Sequence, residues 1–152
     1  MTTITPARTA HVGINVVDLE RSTDFYATAL GLEPGAPGEH DGSRFAFLTA
    51  GGKPVVTLWE QSTGEFATDR PGLHHLAFEV DDAEALHAAR ERIARLGARF
   101  AHDGVVAHRE GASSGGVFFF DPDGTRLEIY APNGDHEVGA APHGDAPTCG
   151  FF

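Results

Sequence analysis

His11-Val-Gly-Ile-Asn-Val-Val-Asp18 and His75-Leu-Ala-Phe-Glu-Val-Asp-Asp82 are two copies of one phrase: a histidine, an alternating apolar strand, and an aspartate that opens a helix. Each phrase is answered by a closing strand, Pro54-Val-Val-Thr-Leu-Trp59 in the first copy and Thr125-Arg-Leu-Glu-Ile-Tyr130 in the second. Laid side by side, the closing strands put Thr57 opposite Glu128. The duplication therefore defines four equivalent positions, His11, Thr57, His75 and Glu128, and three of them carry side chains able to ligate a metal.

Outward from these phrases, period-two alternation marks strands over 11–16 and 74–80. Val12, Ile14 and Val16 share one face and His11, Gly13 and Asn15 the other. Likewise Leu76, Phe78 and Val80 lie opposite His75, Ala77 and Glu79. A helix is expected from Asp18, a good N-cap, to Gly31, a good stop, with Leu19, Phe25, Tyr26, Ala29 and Leu30 as its apolar stripe. A second runs from Asp82 to Leu96 with Leu86, Ala89, Ile93 and Leu96 at helical spacing, and Gly97 ends it. Between the first helix and its closing strand lie the turn-rich segment Glu33 to Ser43, with room for one short strand near Glu33, and a strand over Arg44–Thr49. A Gly51-Gly52 turn leads into Pro54–Glu60. The second module repeats the order: an extended piece at Arg99–Ala101, a loop through Ser114, and a hairpin, Gly116–Phe120 with Thr125–Tyr130, turning at Asp121-Pro-Asp-Gly124. The reading is a single domain over 1–132 built of two modules, about 8–66 and 70–132. The tail, 133–152, is rich in Gly, Pro and Ala without periodicity and reads as a flexible extension whose Phe151 and Phe152 are candidates for docking on a neighbouring subunit.

Composition narrows the partners. The 152 residues carry a formal charge of −11, the wrong sign for nucleic acid or an anionic membrane surface, both of which recruit clustered Lys and Arg. One cysteine, Cys149, allows no internal disulfide. The first residues lack the apolar run of a signal peptide, and no stretch has the length of a membrane span. A cytoplasmic protein that binds a small molecule is expected.

The closing strands sharpen the site. Val56/Leu58 and Leu127/Ile129 are apolar faces to be packed under the helices. Val55/Thr57/Trp59 and Arg126/Glu128/Tyr130 are mixed faces turned towards a cavity. Two imidazoles and one carboxylate meeting there satisfy a divalent metal and leave coordination positions open, as catalytic sites require. The same set serves non-haem Fe(II), which is placed first, while Mn, Co, Ni and Zn accept it too. Thr57 cannot replace a carboxylate and leaves room for water or substrate. Thr57, Trp59, Phe118 and Tyr130 are the candidate substrate-binding residues. A lone strand histidine is more often a hydrogen-bonded structural residue than a ligand, but matched histidines in a repeat, joined by a carboxylate costly to bury alone, are harder to explain that way. His74 is expected to point away from His75 by strand parity. The remaining histidines read as structural or solvent-facing, and His108, whose loop precedes a cavity strand, is a weak catalytic candidate.

His11 to Tyr26 with Leu30-Gly31, His74 to Asp82, and Phe119-Phe-Asp-Pro-Asp-Gly-Thr-Arg-Leu-Glu-Ile-Tyr130 together resemble the vicinal oxygen chelate superfamily, which includes glyoxalase I, extradiol dioxygenases, fosfomycin-resistance enzymes and bleomycin-resistance proteins. The resemblance implies an α+β fold in which paired βαβββ modules form a half-open mixed-sheet barrel with helices outside. It also implies a homodimer and a metal held by His11, His75 and Glu128. The metal would grip two adjacent substrate oxygens. Departures matter as well. Thr57 stands where glyoxalase I has a glutamate, which disfavours proton-shuttling chemistry. Gly13 stands where fosfomycin enzymes have a threonine. The three-ligand set suits extradiol dioxygenases, although Phe118 replaces their tyrosine. His108 corresponds loosely to their acid–base histidine. The expected activity is dioxygenase-like or lyase/isomerase-like chemistry on an oxygen-rich or aromatic molecule. The alternative is a non-catalytic protein that sequesters an antibiotic.

Overall fold

The computed structural model describes residues 5–108, 112–134 and 152. Most of the tail, read from sequence as a flexible extension and including His136, His143, Cys149 and Phe151, lies outside the described residues. The chain divides into two compact units, Met1–Ala27 with Gly31–Thr63, and Thr28–Leu30 with Gly64–Phe152. The break between Thr63 and Gly64 falls inside the polar linker that separates the two phrases.

The first unit runs β1 (Val12–Val16), α1 (Leu19–Leu30, except its last three residues), β2 (Glu33–Pro34), β3 (Gly38–His40), β4 (Ser43–Ala50) and β5 (Lys53–Glu60). Its sheet has the order β1-β5-β4-β2, with β3 also paired to β4. The turn-rich segment thus supplies two short strands where one was expected. Asp41 (φ 50°) and Gly42 (φ 78°) make the tight β3–β4 turn in the left-handed conformations a two-residue hairpin demands. The second unit runs β6 (Leu76–Glu79), α2 (Ala83–Arg95), β7 (Val106–Ala107), β8 (Gly115–Phe120) and β9 (Arg126–Ala131), in the sheet order β6-β9-β8-β7. Both sheets are mixed and open, and the fold is α+β. β7 lies in a stretch read from sequence as loop, because two residues are too few to show alternation. The extended piece near Arg99 becomes a single bridge, Phe100 to Phe119.

Helix ends follow the expected capping chemistry. Asp18 accepts from Arg21 N and Asp82 from Ala85 N, each at 2.8 Å, supplying the acceptor that a first-turn amide lacks within its own helix. Gly31 closes α1 at φ 68°. α1 buries Leu19, Phe25, Tyr26 and Ala29. α2 lies against β8 and β9 and buries Leu86, Ala89 and Ile93, whereas Leu96, just past its end, is exposed. The apolar strand faces are buried at Ile14, Val16, Val56, Leu58, Val117, Phe119, Leu127 and Ile129.

The duplication survives at the level of hydrogen-bond register. The parallel pair β1·β5 sets Val12 against Val56, Gly13 against Thr57 and Asn15 against Trp59. The parallel pair β6·β9 sets Leu76 against Leu127, Ala77 against Glu128 and Glu79 against Tyr130. One strand further in, Phe47 faces Thr57 and Phe118 faces Glu128. Because a parallel pair needs a crossover, each unit brings its first strand beside its last. A histidine phrase therefore ends up next to the closing strand of the same unit.

Candidate metal and ligand site

Glu128 is the centre of the second unit's mixed face. Its carboxylate is buried, 4% exposed, and among the described residues no lysine or arginine pairs with it. Two imidazoles do. His108 Nε2 lies 2.7 Å from Oε1, and His75 Nε2 lies 3.5 Å from Oε2. A carboxylate only accepts, so His108 Nε2–H donates, leaving Nδ1 to accept from the Ser114 hydroxyl at 3.1 Å. His108 is itself buried, 6% exposed, with its ring 5.3 Å from that of Tyr130 and 6.2 Å from that of Phe118. The weak catalytic candidate is thus the firmest partner of the central carboxylate.

Gly116 makes this possible. A Cβ there would stand 3.0 Å from Glu128 Oε1, 3.2 Å from the Phe118 ring and 3.3 Å from His108 Nε2. The absent side chain is the space through which imidazole and carboxylate meet. The turn after β8 holds the frame rigid: Asp121 Oδ1 accepts from Asp123 N at 2.9 Å and Thr125 N at 2.7 Å, an Asx turn buried with its aspartate.

His74 departs from the parity expectation. Both histidines precede β6, which begins only at Leu76, so strand alternation does not reach them. Their Nδ1 atoms lie 2.8 Å apart, and Arg126 Nη1 lies 3.4 Å from His74 Nε2. Arginine can only donate, so His74 accepts at Nε2 and donates from Nδ1, which makes His75 Nδ1 an acceptor. The His75 proton then sits on Nε2, aimed at Glu128. Burial pushes the His75 imidazole below the ordinary histidine range; His74 and Arg126 push the same way, while Glu128 opposes. A neutral imidazole is the form that ligates a metal; ligation through Nε2 would require the His75 proton on Nδ1 instead, with His74 Nδ1 accepting it and Arg126 releasing His74 Nε2.

The other expected residues are placed as follows. His11 precedes β1 in the first unit and is exposed. Thr57 is buried opposite Gly13, whose missing Cβ would lie 3.4 Å from Thr57 Oγ1. Trp59 is half-buried with its ring 4.9 Å from that of Phe45. Phe118 is fully buried, its ring 6.0 Å from that of His102. Phe152, the described end of the tail, packs on its own chain, its ring 5.7 Å from that of His75 and 5.5 Å from that of Phe118.

The donor chemistry fits a divalent cation at the His75–Glu128 edge. A buried carboxylate lacking a cationic side chain is costly. Ligand atoms held about 2.1 Å from one ion stand roughly 3–3.5 Å apart, close to the spacing of His75 Nε2 and Glu128 Oε2. His108, on the opposite oxygen, orients the carboxylate as an outer-shell partner does. A second acidic group, Asp18, Glu20 and Glu60 in the first unit, also gathers its oxygens within 4.8 Å. That cluster already has occupation. Arg44 pairs with both Glu20 and Glu60, and Glu60 Oε1 accepts from Leu19 N at 2.8 Å.

Comparison with known proteins agrees with this architecture. A family model described as the Glyoxalase/Bleomycin resistance protein/Dioxygenase superfamily matches residues 8–129. The chain is 34% identical over 142 residues to a lactoylglutathione lyase of Neisseria meningitidis serogroup A, spanning 86% of this chain and 96% of that one. It is 29% identical over 127 residues to a catechol-2,3-dioxygenase of Bacillus subtilis, covering 80% of this chain but only 41% of the dioxygenase. Among solved structures, a glyoxylase/bleomycin resistance protein/dioxygenase domain from Frankia sp. EAN1pec superposes with a TM-score of 0.72 at 28% identity, over 84% of this chain and 98% of that one. No described helix is long and apolar enough to cross a membrane.

Proposed function

Because the chain belongs to the Glyoxalase/Bleomycin resistance protein/Dioxygenase superfamily, we propose that it is a metal-dependent enzyme acting on a small oxygen-rich or aromatic molecule. The observation that carries this reading is the buried Glu128 carboxylate, flanked by imidazoles and, among the described residues, paired with no lysine or arginine. His11, His75 and Glu128 hold a divalent ion, with Fe(II) ahead of Mn, Co, Ni and Zn. When bound, such an ion supplies Lewis-acid activation of two adjacent substrate oxygens.

The chain's own residues do the rest. His108 holds the Glu128 carboxylate in one orientation through its 2.7 Å bond. Phe118 and the His108–Tyr130 ring pair wall the site against water. Thr57, in the place of a proton-shuttling carboxylate, has a hydroxyl able to orient a ligand but not to act as a base near neutral pH. That favours dioxygenase-like ring cleavage over proton transfer. The lyase or isomerase reading keeps one observation of its own: the lyase relative is matched along nearly its whole length, the dioxygenase along less than half. In this reading the protein works as a cytoplasmic homodimer.

Elemental analysis of protein purified without chelator tests the proposal. One transition-metal ion per chain is expected, lost in His11→Ala, His75→Ala and Glu128→Ala. Oxygen uptake by iron-loaded protein with a panel of catechols then separates the branches: consumption supports ring cleavage, and its absence favours the lyase. A metal-free protein that binds an antibiotic one to one would replace the enzyme with a sequestering protein.

A further inference from the structure

The ring of Phe152 packs against the core cluster of Val106 and Phe118, beside Ala101, and sits among several other rings. It meets Phe118 at 5.5 Å and 79°, Phe120 at 5.7 Å and 75°, and His74 at 6.5 Å and 75°, all edge-on, and tilts across His75 at 5.7 Å. Edge-to-face contacts at these separations are the arrangement aromatic quadrupoles favour. The Arg126 guanidinium lies 5.5 Å over the Phe152 ring, and that of Arg99 lies 3.4 Å over Phe120. Among the described residues neither arginine is ion-paired with a carboxylate. In a chain of net charge −11, two such guanidinium groups beside one aromatic pocket are an anion-attracting feature. Phe152 itself is only half-buried, so its ring fills the pocket without being locked into the core.

We infer that this pocket is a subsite for small aromatic carboxylates, and that Phe152 is an internal occupant which such a ligand displaces. The ring of the ligand takes the place of the Phe152 ring, between Phe118 and Phe120 and beside His75, and its carboxylate faces Arg126. The inference rests on the proposed reading only in taking this face as the ligand site, and it names the substrate class for it. An internal occupant that fills the pocket nine-tenths of the time weakens apparent affinity about tenfold, since only the open fraction binds.

The test uses the full chain treated with chelator, so that it reads the subsite and not the metal. Calorimetric titration with phenylacetate is expected to give about tenfold tighter binding to Phe152→Ala than to the unaltered chain. Cyclohexylacetate, with the same acid but no aromatic ring, is expected to bind about tenfold more weakly than phenylacetate to Phe152→Ala. Arg126→Gln in the same background is expected to weaken phenylacetate by at least as much. A single 4-fluorophenylalanine at position 152 gives a direct readout, its ¹⁹F line moving as phenylacetate is added to the otherwise unaltered protein. Equal affinities with and without the Phe152 ring, indifference to ring saturation, or a fluorine line that stays put would overturn the inference. Loss of metal binding in the His75 or Glu128 variants bears on the enzyme reading alone.

Discussion

The two units share one register and use it for opposite ends. In the first, Thr57 and Phe47 occupy the central pair, with Phe47 41% exposed; in the second, Glu128 and Phe118 occupy it, with Phe118 fully buried. The correspondence reaches the edge strand. His40 pairs with Ser43 across β3 and β4, and His108 bonds to Ser114 at the matching place before β8. Yet His40 is mostly exposed, its Nε2 3.4 Å from the Asp41 carboxylate, whereas His108 turns inward to Glu128. The difference traces to one exchange of bulk. In the first unit Phe45 faces Gly38, whose missing side chain makes room for the Phe45 ring. In the second Val106 faces Gly116, and the freed space admits an imidazole. The glycine thus sits on opposite strands of the matching pair in the two copies, and in the second it leaves space beside Glu128 for the His108 imidazole.

Exchanging residues between the copies tests this directly. Glu128→Thr, which gives the second unit the first unit's residue, is expected to abolish metal retention after dialysis, measured by elemental analysis. His108→Ala should cost about 1–3 kcal/mol in denaturant unfolding, because Glu128 Oε1 is left buried without its donor. The equivalent His40→Ala should stay within about 0.5 kcal/mol, as an exposed substitution. Equal costs for the two would mean that the Glu128 contact contributes nothing. Gly116→Ala crowds Glu128 and His108 and is expected to lose about 1–2 kcal/mol, with weakened metal affinity. Smallest are the helix caps. Asp18→Ala and Asp82→Ala remove the same bond from each copy and should each cost about 1 kcal/mol, visible as similar shifts in thermal midpoint.

Much of this was legible from the residues. The phrase repeat predicted the strand–helix order, both N-caps and the equivalence of Thr57 with Glu128, because capping and alternation are local properties. The Glu128–His75 neighbourhood followed from pairing the closing strand with the phrase. His108 was harder to place. The two-residue Asp41-Gly42 turn and the longer 109–113 stretch displace the copies, so reading forward from the phrases hides the match of His40 with His108. Counting backward through the antiparallel strands reveals it. His74 escapes strand parity because alternation starts only at Leu76, where β6 begins. Nothing local announces that Phe152 returns to His75, since no periodicity links the two.

The parallel pairing of β6 with β9 carries a last consequence. His75 sits just before the first strand of its unit and Glu128 on the last, so the two groups are brought together across the whole intervening helix and hairpin. Such distant pairings form late and slowly when a chain folds. Cation uptake during refolding should therefore lag behind helix formation, making the bound ion a reporter of when the unit has closed.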